Sequence, residues 1–137
     1  MPSAYRPPAA MSLRVHTMKK VILILVIALC SCSKKPETLK IGVFNDEVDL
    51  SKAVSGEWDT ACILTPYTSV ETGAQLTGLS QEEIANTGIE VSDSFNTIVF
   101  LHQGEKFVIY NVSRIKVKFP VTKATCFAKN EAKFKIV

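Results

Sequence analysis

The chain has 137 residues, 47% of them hydrophobic and 21% charged, with a formal net charge of +3. That excess comes from its beginning: Arg6, Arg14, Lys19 and Lys20 precede Cys32 with no acid among them, leaving twelve bases against thirteen acids, net −1. A basic nucleic-acid binder is therefore not implied, and the 106 residues from Cys32 to Val137 suit one domain with a modest core rather than two.

Residues 1–17, with Arg6, three prolines and a further methionine at Met11, read as a non-native leader ahead of a true start at Met18. A transit peptide is the alternative, since the segment is basic and lacks acids. Residues 18–31 have secretory-signal architecture: Lys19 and Lys20, then ten apolar residues from Val21 to Cys30, then small residues. Ten helical residues cover about 15 Å, half of a hydrocarbon core of roughly 30 Å, which favours cleavage over retention as a span.

Leu29, Ser31 and Cys32 at the end of this run resemble a bacterial lipobox, with Leu at −3 and a small residue at −1. Cys30 at −2 departs from the usual small or β-branched residue, and as the modified cysteine it would place Leu29 at −1. The resemblance to bacterial lipoproteins implies a diacylglyceryl thioether and an N-acyl chain on Cys32. Two or more such chains, at about 0.8 kcal/mol per CH₂, hold a protein stably on a membrane. Ser33 is not the Asp that favours inner-membrane retention in enteric bacteria, so the resemblance points to the periplasmic face of the outer membrane. An ordinary signal peptide with a coincidental cysteine is the competing reading.

Residues 32–38 are expected to be a tether and residues 39–137 a single α+β domain. Leu39–Phe44 reads as a short strand. Asn45 or Asp46 could cap a helix from Glu47 to about Ser55, ended by Gly56. Trp58–Leu64 reads as a strand with Thr60, Cys62 and Leu64 on one face, stopped by Pro66. Short helices follow near Val70–Leu76 and Gln81–Asn86, the second capped by Ser80 with Glu83 at capping-box spacing.

From Phe95 onward the pattern is strands. Thr97–His102 is apolar on both faces, as in a central strand, and turns at Gly104 into Lys106–Val112. Ile115, Val117 and Phe119 alternate with Arg114, Lys116 and Lys118, a strand with one wet face. Thr122–Ala128 and Ala132–Ile136 read as a last hairpin around Lys129–Glu131. The expected fold is α+β, with short N-terminal helices packed on a C-terminal antiparallel sheet of about four to five strands.

Charge is segregated along the chain. Residues 37–105 hold twelve acids against Lys40 and Lys52, and residues 106–137 hold eight bases against Glu131. Either the two halves pack together and offset one another, or Arg114, Lys116, Lys118, Lys133 and Lys135 form a face for an anionic partner such as lipid headgroups or an acidic protein.

Cys62 and Cys126 are the cysteines left after the signal and the lipid site, and in an oxidising compartment they are expected to pair. The sharper alternative makes Cys62 a nucleophile with His102, the single histidine after Cys32, as its base. No metal-ligand set, phosphate loop or hydrolase elbow is legible, so no cofactor is expected. Glu57, Asp59 and Asp93 could be drawn as paired carboxylates, but acids so placed are commonly solvated.

One constellation, Trp58-Asp59-x-x-Cys62-x-x-x-Pro66-Tyr67, is similar to a motif of small uncharacterised Gram-negative lipoproteins. The resemblance spans about residues 57–119 and implies no activity. Trp58 would be an apolar anchor, Asp59 an acceptor for a neighbouring loop and Tyr67 a corner whose hydroxyl bonds backbone, with Trp58, Asp59 and Tyr67 alternatively meeting a partner. The expected function is that of a non-catalytic envelope lipoprotein, membrane-bound through Cys32, that binds or supports another envelope component. An immunity or inhibitor lipoprotein against a toxin or lytic enzyme is the alternative, using the acidic stretch Glu71–Asp93.

Overall fold

The computed structural model describes residues 35–136, in which a five-stranded sheet is covered by helices on one face and by a two-stranded sheet with irregular chain on the other. In chain order the elements are β1 (Glu37–Thr38), β2 (Glu47–Asp49), α1 (Leu50–Ala53), β3 (Thr60–Leu64), α2 (Val70–Thr77), α3 (Gln81–Thr87), β4 (Phe95–His102), β5 (Glu105–Ser113), β6 (Thr125–Ala128) and β7 (Lys133–Lys135). Single 3₁₀ turns stand at Ile89–Val91 and Lys129–Glu131. The large sheet runs β1-β5-β4-β3-β6 and the small one pairs β2 with β7, an α+β arrangement as expected.

β4 is the central strand, and its apolar run explains why. Ile98 and Phe100 face one core with Ala61 and Ile63 of β3, while Val99 and Leu101 face a second with Cys62 and Leu64. The first core is closed by Val48, Leu50, Trp58, Val117, Phe119 and Phe134, and the second by Ile84 of α3 and Ile89. A strand buried on both faces cannot alternate apolar with polar, so continuous hydrophobicity is what this position demands.

The helices have strong local signals. Ser69 accepts the Thr72 N–H at the start of α2, and Ser80 and Glu83 form a complete capping box on α3. The Glu90 carboxylate accepts the Val70 N–H at 2.6 Å, tying the 3₁₀ turn to the first turn of α2. Gly73 lets α2 lie close on α3, because a Cβ there would stand 2.8 Å from Ile84 Cγ2.

Several expectations are corrected. Asn45 and Asp46 do not cap a helix; both have positive φ, 52° and 59°, and form a two-residue turn closed by reciprocal Phe44–Glu47 backbone bonds of 3.1 and 3.0 Å. Asn and Asp tolerate that region better than other non-glycine residues. Glu47–Asp49 is then a strand, since β7 offers a ladder, and the helix shrinks to Leu50–Ala53 with Asp49 as its cap. Leu39–Phe44 is not a strand; the strand lies earlier, where Glu37 and Thr38 of the expected tether pair in parallel with Tyr110 and Asn111, making the sheet mixed.

The alternation from Arg114 to Phe119 is not a strand either. Ser113–Lys116 turns, Val117 and Phe119 enter the first core, and Ile115 is 92% exposed. β6 and β7 are not a hairpin: β6 pairs with β3 and β7 with β2, because the 3₁₀ turn between them carries the chain from one sheet to the other.

Candidate functional site

The Trp58–Asp59 corner ties together four segments. Trp58 is 1% exposed, donates its indole N–H to the Val54 carbonyl at 2.8 Å and packs edge-on against Phe100 at 4.8 Å. Lys129 lies 4.8 Å from the Trp58 ring centroid and donates to the Gly56 carbonyl at 2.7 Å, so the ammonium is both hydrogen-bonded and stacked. Buried in this way, Trp58 presents no contact surface to a partner and acts as the apolar anchor.

Asp59 uses both carboxylate oxygens. One accepts the Thr60 hydroxyl at 2.8 Å and the other the Gln103 backbone N–H at 2.7 Å. Gln103 needs such a tie, since it occupies a positive φ of 51° in the two-residue β4–β5 turn with Gly104. The Gln103 N–H, then the Thr60 hydroxyl, hold the Asp59 carboxyl below the ordinary aspartate range; desolvation opposes them, and His102 adds the smallest lowering effect. The backbone joins in: Asp59 N–H donates to Leu101 and Asp59 C=O accepts from Lys129, each at 2.8 Å.

Cys62 and Cys126 form a disulfide across directly opposed positions of β3 and β6. Cys62 is fully buried in the second core, and its sulfur is committed to Cys126. His102 does not join Cys62. Its Nδ1 stands 3.8 Å from Asp59 Oδ2, beyond hydrogen-bond reach, and has no hydrogen-bond partner among the described residues. The proposed thiol–imidazole pair is thus not assembled in this structure.

Tyr67 turns the chain after Pro66, with φ +62° and its N–H donating to the Ile89 carbonyl at 2.9 Å. Its ring is 64% exposed, and among the described residues its hydroxyl makes no bond to backbone. The corner is therefore held by the main chain, leaving the ring outside.

The expected basic face divides into two. Lys133 and Lys135 belong to β7, opposite Asp49 and Glu47 of β2, and Lys133 bonds Glu47 at 3.0 Å. Lys106 bonds Glu83 at 2.9 Å, holding the Glu83 carboxyl below its usual range together with the Ser80 N–H. To this extent the two oppositely charged halves pack together and offset one another. Arg114, Lys116 and Lys118 form no ion pair among the described residues; the Arg114 guanidinium donates to the Asp93 carbonyl at 2.9 Å. These three cations flank the exposed Ile115, and the 80%-exposed Val91 lies two residues before Asp93.

Two surface features escaped the sequence reading. A cleft of about 400 Å³ is lined by Phe44, Asn45, Glu47, Asp49, Lys52 and Lys133; Asn-Asp as a turn dipeptide was its one visible sign. Phe107 is the extra residue of a bulge, since Phe100 opposes Val108 and Leu101 opposes Lys106, and is 42% exposed. No sequence signal marks that bulge.

Among the described residues no group of three or more His, Cys, Asp or Glu side chains is placed to hold a metal, and no helix is long and apolar enough to cross a membrane. The signal at 18–31 and Cys32 lie outside the described residues. Family models, curated proteins and solved structures yield no match to this chain.

Proposed function

We propose that this chain is an envelope lipoprotein, held through acyl chains on Cys32 at the periplasmic face of the outer membrane, whose domain binds or supports another envelope component without catalysis. The observation that carries the reading is the Cys62–Cys126 bridge, which joins a buried cysteine of the second core to the edge strand β6. A small domain stapled in this way suits an oxidising compartment, where the secretory signal would deliver it. The cations of the Arg114–Lys118 turn supply a surface for an anionic partner, and Asp59 serves as a structural tie beneath the β4–β5 turn.

The test is the intact mass of protein expressed from Met18 in a Gram-negative host, with and without reductant and thiol alkylation. The expected mass is that of the chain from Cys32 plus three acyl groups, with no alkylatable thiol before reduction. A non-acylated mass overturns the anchor, and an alkylatable Cys62 before reduction reopens thiol chemistry.

A second reading, an immunity or inhibitor lipoprotein, draws support from the helical face. Glu71, Glu82, Glu90 and Asp93 are all exposed on α2, α3 and the following turn, and no lysine or arginine occurs between Lys52 and Lys106. A tight complex with a purified basic lytic enzyme, weakened by charge reversal at Glu71 and Glu82, would favour this role over envelope support.

A further inference from the structure

We infer that the cleft beside the Asn45–Asp46 turn binds the pyranose rings of a neutral glycan, an inference that rests on the binding role proposed above and is independent of the acyl anchor. The β2–β7 ribbon builds the cleft wall. Val48 and Phe134 are buried in the first core, so their neighbours Glu47, Asp49, Lys133 and Lys135 stand on the opposite face of the ribbon. α1 follows at once, with Asp49 as its cap, and adds Lys52 to the lining. The Leu50 N–H donates to the Ala132 carbonyl at 2.9 Å and the Ile136 N–H to the Asp46 carbonyl at 2.7 Å, so turn, ribbon and helix are fastened together without a ligand.

Charge selects the class of ligand. Within the cleft Glu47 and Asp49 offset Lys52 and Lys133, and the adjoining Asp46 and Lys135 offset each other. A phosphate or polyanion would meet two carboxylates, and a cation two ammonium groups. A zwitterion would have to part Glu47 from Lys133, which are bonded at 3.0 Å. Neutral hydroxyls leave that pair intact, because each can donate to a carboxylate and accept from an ammonium.

Uncommitted polar atoms are at hand. Asp49 gives one carboxylate oxygen to the Ser51 N–H and hydroxyl, while its other oxygen and the Lys52 ammonium have no partner among the described residues. Phe44 supplies the apolar half of the site. It closes the turn with Glu47 through two backbone bonds, and its ring is 78% exposed at the lip of the cleft. A pyranose has hydroxyls around its rim and a C–H face that packs on such a ring, and the cleft volume of about 400 Å³ lies in the range of small-ligand sites.

The test is an NMR titration of the ¹⁵N-labelled full chain, disulfide oxidised, in a polyoxyethylene detergent that carries no sugar. Neutral tetra-N-acetylchitotetraose and maltotetraose are the probes, with cationic chitotetraose and anionic tetragalacturonate as charged counterparts. At least one neutral probe should shift amides of the cleft saturably, and both charged ones should bind about tenfold more weakly or worse. Phe44→Ala should weaken the neutral glycan about tenfold with no change in melting temperature, and Lys52→Met about threefold. Ile115→Ser, on another exposed turn, should bind like the native chain. The inference is overturned by the absence of saturable shifts with both neutral probes, by tighter binding of a charged one, or by unchanged affinity in Phe44→Ala and Lys52→Met. The mass of the same sample reads the acyl group separately, so a non-acylated chain removes the anchor and leaves the titration to decide the cleft.

Discussion

The Asp59 carboxylate accepts the backbone N–H of Gln103 at 2.7 Å, fastening the start of β3 to the turn at the far end of β4. Because the bond favours the charged carboxylate, its contribution to stability is present above the ordinary aspartate range and fades as pH falls through the lowered folded value. Asp59→Asn should therefore melt at a lower temperature than the native chain at pH 7, and the gap should narrow as pH falls below the ordinary aspartate range. A gap that persists unchanged in acid would assign the loss to packing instead.

Removing the Cys62–Cys126 bridge releases a loop with a sequence separation of 64. The chain-entropy model gives about 4 kcal/mol for a loop of this size, a large share of a small domain's stability. Urea unfolding of the Cys62→Ala, Cys126→Ala double variant should show a loss of that order, with a further contribution from the space left by buried Cys62. Reduction of the native chain should give a similar but smaller loss.

Charge pairing across the small sheet can be tested by exchange. Lys133→Glu places a carboxylate opposite Asp49 and beside Glu47, at a cost of about 0.5–1 kcal/mol for pairs this exposed. Adding Glu47→Lys should recover part of that loss, more at low salt than at high. Additive effects in the double-variant cycle would show that the pair contributes nothing beyond its parts.

Ser80→Ala removes the acceptor for the Glu83 N–H and dismantles the capping box of α3. The expected loss is about 1 kcal/mol by chemical denaturation. Restoring an acceptor with Ser80→Asp should return most of it.

What could be read from the sequence was what local chemistry decides. The Ser80–Glu83 spacing identified α3, the two-faced apolar run of Thr97–His102 identified β4, and alternation along Trp58–Leu64 assigned Cys62 and Leu64 to a shared face. The misses are places where distant partners overrule local preference. Glu47–Asp49 looks helical until β7 arrives to pair with it, and Ile115 alternates with its neighbours yet stays outside because the chain turns before it. Of the candidate site, the disulfide was legible, Trp58 and Asp59 were legible as structure, and the bulge at Phe107 was not, since its cause lies in the register of β4 against β5.

Val99 and Phe100 are adjacent on β4 but belong to different cores. The helical layer and the small-sheet layer consequently share one spine, and neither can melt while leaving the other intact. Backbone amides in the middle of β4 should exchange with solvent deuterium only through opening of the whole domain, at a free energy equal to global unfolding. The two layers are thus one cooperative unit, despite being separate hydrophobic clusters.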